Sequence, residues 1–139
     1  MTSPLESSFT SEKLAPDLMR TRIRGDLTAD LLEQMVQSSN EMLEVGRPHI
    51  AIVDITELGT VTPEARVAAK SVPKLMPDLR GTIMVGGGFM QRMITKLLNI
   101  AMNLVSKQQI MLEYVGNDEE ALAIADAWRQ KLREEANHG

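Results

Sequence analysis

His49-Ile50-Ala51-Ile52-Val53-Asp54-Ile55 is the stretch that decides the fold. It is apolar almost without interruption and rich in β-branched residues, which predicts a strand covered on both faces, as in a parallel sheet. A strand with one wet face would alternate instead. Toward the C-terminus, residues 56–61 read as a loop. Thr62-Pro63-Glu64 then reads as a helix start, with a hydroxyl N-cap, proline at the first helical position and an acid in the first turn. Ala65, Ala68, Ala69 and Val72 give that helix a stripe of small residues; Pro73 kinks or ends it, and Pro77 forbids its continuation. Residues 82–85 form a second buried strand, which opens into Gly86-Gly87-Gly88 and a long helix over 89–106. A last strand covers 110–115. Asn117 caps the closing helix, with Glu120 completing a capping-box-like pair, and Ala121, Leu122, Ile124, Ala125, Trp128 and Leu132 mark its apolar side.

Toward the N-terminus the pattern changes. At residues 18–24, Met19, Thr21 and Ile23 alternate with Arg20, Arg22 and Arg24, so this strand has one buried and one basic, solvated face. A short strand at 9–14, ended by Ala15-Pro16-Asp17, supplies its hairpin partner. Gly25-Asp26-Leu27 turns the chain into a helix over 28–44, capped by Thr28 and closed by Gly46. Residues 1–8 and 134–139 read as frayed ends of a single domain spanning 9–132. The order β-β-α-β-α-β-α-β-α predicts an α/β fold: a mainly parallel sheet of about five strands, an antiparallel edge hairpin and four helices.

At this point three stretches resemble the STAS-like families, the relatives of the sporulation anti-sigma-factor antagonist and a lineage sharing features with CRAL-TRIO lipid-binding domains. Ile23-Arg24-Gly25-Asp26-Leu27-Thr28 looks like their strand-Gly-x-Leu-Thr opening. Ile52-Val53-Asp54-Ile55 followed by Thr62-Pro63-Glu64-Ala65-Arg66 looks like their strand-Asp and helix start. Asp118-Glu119-Glu120-Ala121-Leu122 looks like their closing helix, although Ile124 stands where a Trp-Leu pair often begins. The resemblance covers nearly the whole chain and implies a binding or regulatory module. In phosphoregulated members a serine sits at the helix start; here that place falls on Pro63 and Glu64, with Thr60 and Thr62 as the neighbouring hydroxyls.

Composition narrows the chemistry. A net charge of −4 argues against a nucleic-acid partner. The chain has no cysteine, which excludes disulfides and thiolate sites and suits a reducing, cytoplasmic setting. No apolar run reaches the roughly 20 residues of a membrane span. The two histidines, His49 and His138, have no nucleophile-elbow serine beside them, and no ligand cluster points to a metal. The expected catalytic, metal and cofactor inventory is therefore empty. Gly86-Gly87-Gly88 lacks the Lys-Ser/Thr of a phosphate loop and reads as a tight turn.

The long helix carries the most information. Arg92, Thr95, Lys96, Asn99, Asn103 and Ser106 form one narrow polar stripe, while apolar residues sweep roughly 200° of the wheel. That arc is wider than an ordinary surface helix needs, so it predicts a core, a subunit contact or a ligand wall. The edge formed by Met90, Ile94, Leu98 and Met102 is the expected contact. The predicted function is a non-catalytic binding or regulatory module holding a small apolar molecule or lipid beside this helix, with a homodimer as a further partner. The alternative is a protein-protein regulator docking through Asp54, Thr60 and Thr62. An enzyme of unrecognised type comes third. Gly87 completes the candidate set, because ligands of open α/β sheets gather at the carboxyl ends of strands.

Overall fold

A computed structural model of the chain describes residues 7–105 and 109–138. The lead-in over residues 1–6, Ser106 and Lys107 beside the polar stripe, and the terminal Gly139 lie outside the described residues. The elements are β1 (Ser8–Ala15), β2 (Leu18–Leu27), α1 (Ala29–Met42), β3 (His49–Val61), α2 (Pro63–Ala69), α3 (Val72–Leu75), β4 (Leu79–Val85), α4 (Phe89–Val105), β5 (Met111–Val115) and α5 (Asp118–His138). The five strands lie in sequence order, β1 antiparallel to β2 and the others parallel. This is the expected mixed sheet.

Three details differ from the expectation. There are five helices among the described residues, because Pro73 starts a separate one-turn helix, α3, instead of only ending α2. Residues 56–61 are strand and not loop: Glu57, Leu58 and Val61 pair with Arg24, Gly25 and Leu27 of an equally lengthened β2. Gly25, at φ +79°, absorbs the register shift there, so it carries a bulge within the ladder where a turn was expected. Finally, α5 continues through residues 134–138, expected to fray.

Successive right-handed crossovers in one direction put α1 to α4 on the same face of the sheet. There Ile23, Ile55 and Leu58 pack with Leu31 and Ala65, and Val36, Val72, Met76 and Leu79 close the lower end. Among the described residues the opposite face carries α5 alone, through Ala121 and Ala125 against Ile50, Ile52, Ile83 and Val85. Strand periodicity decides which residue goes where: on β3, Ala51, Val53 and Ile55 face α1 to α4, and Ile50, Ile52 and Asp54 face the α5 side.

One helix cannot cover five strands. On the α5 side the sheet near β1 and β2 is therefore polar. Arg22 stands opposite Asp54 and Arg24 opposite Glu57 in the ladder, and these cross-strand pairs are ion pairs. Arg20 bridges Asp54 at 3.4 Å and Asp118 of α5 at 2.9 Å. The arginine face of β2 is thus charge-paired as well as solvated. Asp17, 6% exposed, takes Arg129 of α5 at 2.7 Å and ties that helix to the β1–β2 corner.

Candidate functional site

Three caps place the upper rim as the sequence requires. The Thr62 hydroxyl accepts from the Ala65 N–H at 3.2 Å, and Thr28 accepts from Leu31 at 3.1 Å. The Asn117 side chain accepts from the Glu120 N–H, and Glu120 reaches back to the Gly116 N–H. Gly86 and Gly87 both have positive φ, at +74° and +81°, and a Cβ on Gly87 would meet Ile55 Cδ1 at 2.7 Å. Glycine is needed there so that α4 can leave β4 close against β3.

The orientation of α4 is opposite to the one its composition suggests. Part of its polar stripe faces the sheet: Thr95 and Asn99 are 5% and 8% exposed. The reason is hydrogen bonding at β5. Asn103 accepts from the Ile110 N–H at 2.8 Å, and both Asn99 and Asn103 donate to the Ile110 carbonyl at 3.3 Å. Thr95 pairs with the Tyr114 hydroxyl at 2.6 Å, and Arg92 lies over the Tyr114 ring while donating to the Gly86 carbonyl. Burial holds the Tyr114 phenol above its ordinary range, with Thr95 and Arg92 opposing. Backbone groups at the start of β5 need partners when buried, and the amides of α4 supply them. The signal was present in the sequence: Thr95, Asn99 and Asn103 are uncharged, and Lys96, next to them, is exposed.

The inward polar seam leaves apolar residues outside. Phe89, Met90, Met93, Leu97, Ile100 and Leu104 are 40% to 82% exposed. Among them, Met90, Met93, Leu97, Ile100 and Leu104 follow an alternating 3-4 spacing, the seam of a helix that packs against another helix. The expected contact edge divides accordingly. Only Met90 is exposed. Ile94 packs into the core, and Leu98 and Met102 face inward.

What they face is a cavity. A space of about 140 Å³ lies between the sheet and α1 to α4, walled by Val53 and Ile55 of β3, Met84 of β4, Leu32 and Met35 of α1, and Leu98 and Met102 of α4. Asn99 is among its few polar wall residues, and its Oδ1 has no hydrogen-bond partner among the described residues. Leu98 and Met102 are the two predicted site residues at the cavity.

The other predicted positions lie elsewhere. Asp54 sits inside β3 instead of at its end, 5% exposed on the α5 side, accepting from the Thr56 N–H at 2.9 Å and flanked by Arg20 and Arg22. Thr60 is exposed near the end of β3, where its N–H donates to Asp26 at 2.8 Å. That bond holds the Asp26 carboxyl below its ordinary range. Thr62 is occupied as a cap, and Gly87 is a packing position. Asp54, Thr60 and Thr62 therefore do not converge with the cavity. No group of three or more potential metal-ligating side chains clusters among the described residues. No helix among them is long and apolar enough to cross a membrane.

With this geometry in hand, two solved structures are informative. A protein of the DUF3478 family from Shewanella loihica, described as uncharacterized and having a SpoIIAA-like fold, superposes with a TM-score of 0.65 at 21% identity, over 90% of this chain and 98% of that one. The fold is SpoIIAA-like. The unphosphorylated anti-sigma factor antagonist SpoIIAA itself matches with a TM-score of 0.51 at 13% identity, over 84% of this chain and 96% of the other. The STAS-like architecture implied by the three sequence stretches is thus present. No family model and no curated protein matches the chain.

Proposed function

We propose that this SpoIIAA-like chain is a non-catalytic binding module that holds a small apolar molecule between its sheet and α4. The observation that carries the reading is the cavity of about 140 Å³ with an almost wholly apolar wall. Its size is close to that of an engineered cavity of about 150 Å³ that stays dry and takes up benzene. An unfilled void of this volume forfeits about 3 kcal/mol of packing at roughly 24 cal/mol per Å³. An occupant that restores those contacts therefore stabilises the fold through binding.

The test is titration with toluene, followed by thermal unfolding and by the methyl NMR signals of the wall. A saturable rise in melting temperature with shifts at Met35, Leu98 and Met102 is expected. Ala51→Met, which fills the space from β3, should abolish the response without loss of stability. No response in the parent protein overturns the reading.

A second reading, docking of a protein partner, is favoured by the outer seam of α4. The six exposed side chains present about 600 Å² of apolar surface at roughly 150–200 Å² per large side chain. Two copies joined through this face would bury about 1,200 Å², the lower edge of a stable specific interface. An antiparallel pairing sets Leu97 against Ile100 and Met93 against Leu104 of the second copy, so the seam complements itself. The proposed partner is a second copy of this chain. Sedimentation of the parent protein decides it: a monomer at 100 µM (about the protein concentration of a sedimentation run) refutes the pairing.

A further inference from the structure

Resting on the cavity reading above, we infer that the ligand class is narrower than apolar molecules at large: the cavity takes an apolar body carrying a single hydrogen-bond donor, a hydroxyl or N–H, which is received by Asn99 Oδ1. Asn99 is 8% exposed and belongs to the cavity wall. Its amide cannot be turned at will. The nitrogen donates to the Ile110 carbonyl at 3.3 Å, a bond that an oxygen in its place could not make. The oxygen is thereby fixed as the free end, and it has no donor among the described residues.

A buried carbonyl without a donor is costly, and natural structures leave few of them unsatisfied. The remaining wall hydroxyls do not relieve it. Thr95 is engaged with Tyr114 and the carbonyls of Gln91 and Arg92, Ser39 with the Met35 carbonyl, and Thr21 with Ser11. Thr82 adds one hydroxyl able to turn as donor or acceptor. A lone water is a poor solution, because a buried water makes about three hydrogen bonds and the other hydroxyls of the wall, Thr82 apart, are already engaged. A ligand with one donor on an apolar body satisfies both surfaces together. A carboxylate or a molecule with only acceptors would set oxygen against oxygen, and a pure hydrocarbon would leave Asn99 Oδ1 bare.

The probes are phenol and toluene, near-isosteres that differ by a donor, measured by calorimetry against the parent and Asn99→Leu. In the parent, the phenol-to-toluene affinity ratio should exceed the ratio of their water-to-cyclohexane transfer constants at least tenfold, since cyclohexane offers no acceptor. In Asn99→Leu that excess should vanish while toluene still binds. The variant keeps a donor on the Ile110 carbonyl, because Asn103 also donates there. The parent comparison stands by itself if the variant does not fold. Toluene binding with no phenol excess in the parent overturns this inference and leaves the cavity reading intact. Binding of neither probe overturns the cavity reading, and this inference with it.

Discussion

Leu97 and Leu98 are adjacent, identical and about 100° apart around α4, and they should respond oppositely to one substitution. Leu98 lines the cavity beside Ile55 and Met102, whereas Leu97 is 59% exposed on the outer seam. Leu98→Glu removes an inward leucine, worth about 2–3 kcal/mol. It also introduces a carboxylate that must stay in apolar surroundings or take up a proton, at several kcal/mol more. The total, above about 5 kcal/mol, reaches the whole stability of many domains of this size. Leu97→Glu forfeits only the minor part of a leucine's burial, about 1 kcal/mol or less, and glutamate is a good helix former. Urea unfolding followed by circular dichroism should therefore show Leu97→Glu folded with a nearly unchanged midpoint, and Leu98→Glu unfolded or nearly so. Sedimentation of Leu97→Glu should show a monomer if the outer seam pairs two copies. A folded Leu98→Glu beside an unfolded Leu97→Glu would refute the rotation of α4, and with it the buried polar seam and the cavity.

Thr62→Ala should lower stability by about 1 kcal/mol in chemical denaturation while Thr62→Ser stays near the parent, because only the hydroxyl accepting from Ala65 matters; equal values for both would show that the cap is idle. Gly81→Ala should destabilise by about 1–3 kcal/mol, since its Cβ would stand 2.7 Å from the Trp128 ring and 3.2 Å from Ile50 Cδ1, and an unchanged melting temperature would mean that α5 shifts freely. His49 is 4% exposed, and neither ring nitrogen has a hydrogen-bond partner among the described residues; burial holds the imidazole below its ordinary range, with the charge of Asp78 opposing. The unfolded chain then binds the proton first, so the His49 contribution is complete above about pH 6.5 and is lost as pH falls toward the depressed folded value. His49→Leu should flatten stability against pH in that window, and a slope identical to the parent's would show that His49 does not titrate in unfolding.

Local chemistry was enough for the elements and their order. The apolar run at 49–55, the two threonine caps, the Asn117–Glu120 pair and the alternation on β2 each act through neighbours a few residues away, so sequence reads them directly. The mainly parallel sheet with its antiparallel edge hairpin followed too, since right-handed crossovers leave few topologies for this succession. The extent of β3 was not legible, because residues 56–61 become strand only through a β2 that runs equally far. The site was legible only by half: the long helix was singled out, with Leu98 and Met102 among its candidates, but of the expected contact edge Met90, Ile94, Leu98 and Met102 only Met90 is exposed. A hydrophobic arc tells which residues prefer to leave water; it does not know that the Ile110 amide and carbonyl and the Tyr114 hydroxyl await partners across the sheet. Satisfying those buried groups outweighs hiding a few more methyls. The tertiary structure alone therefore decided that the amides of α4 go in, that its Met and Leu seam stays out, and that a void remains between them.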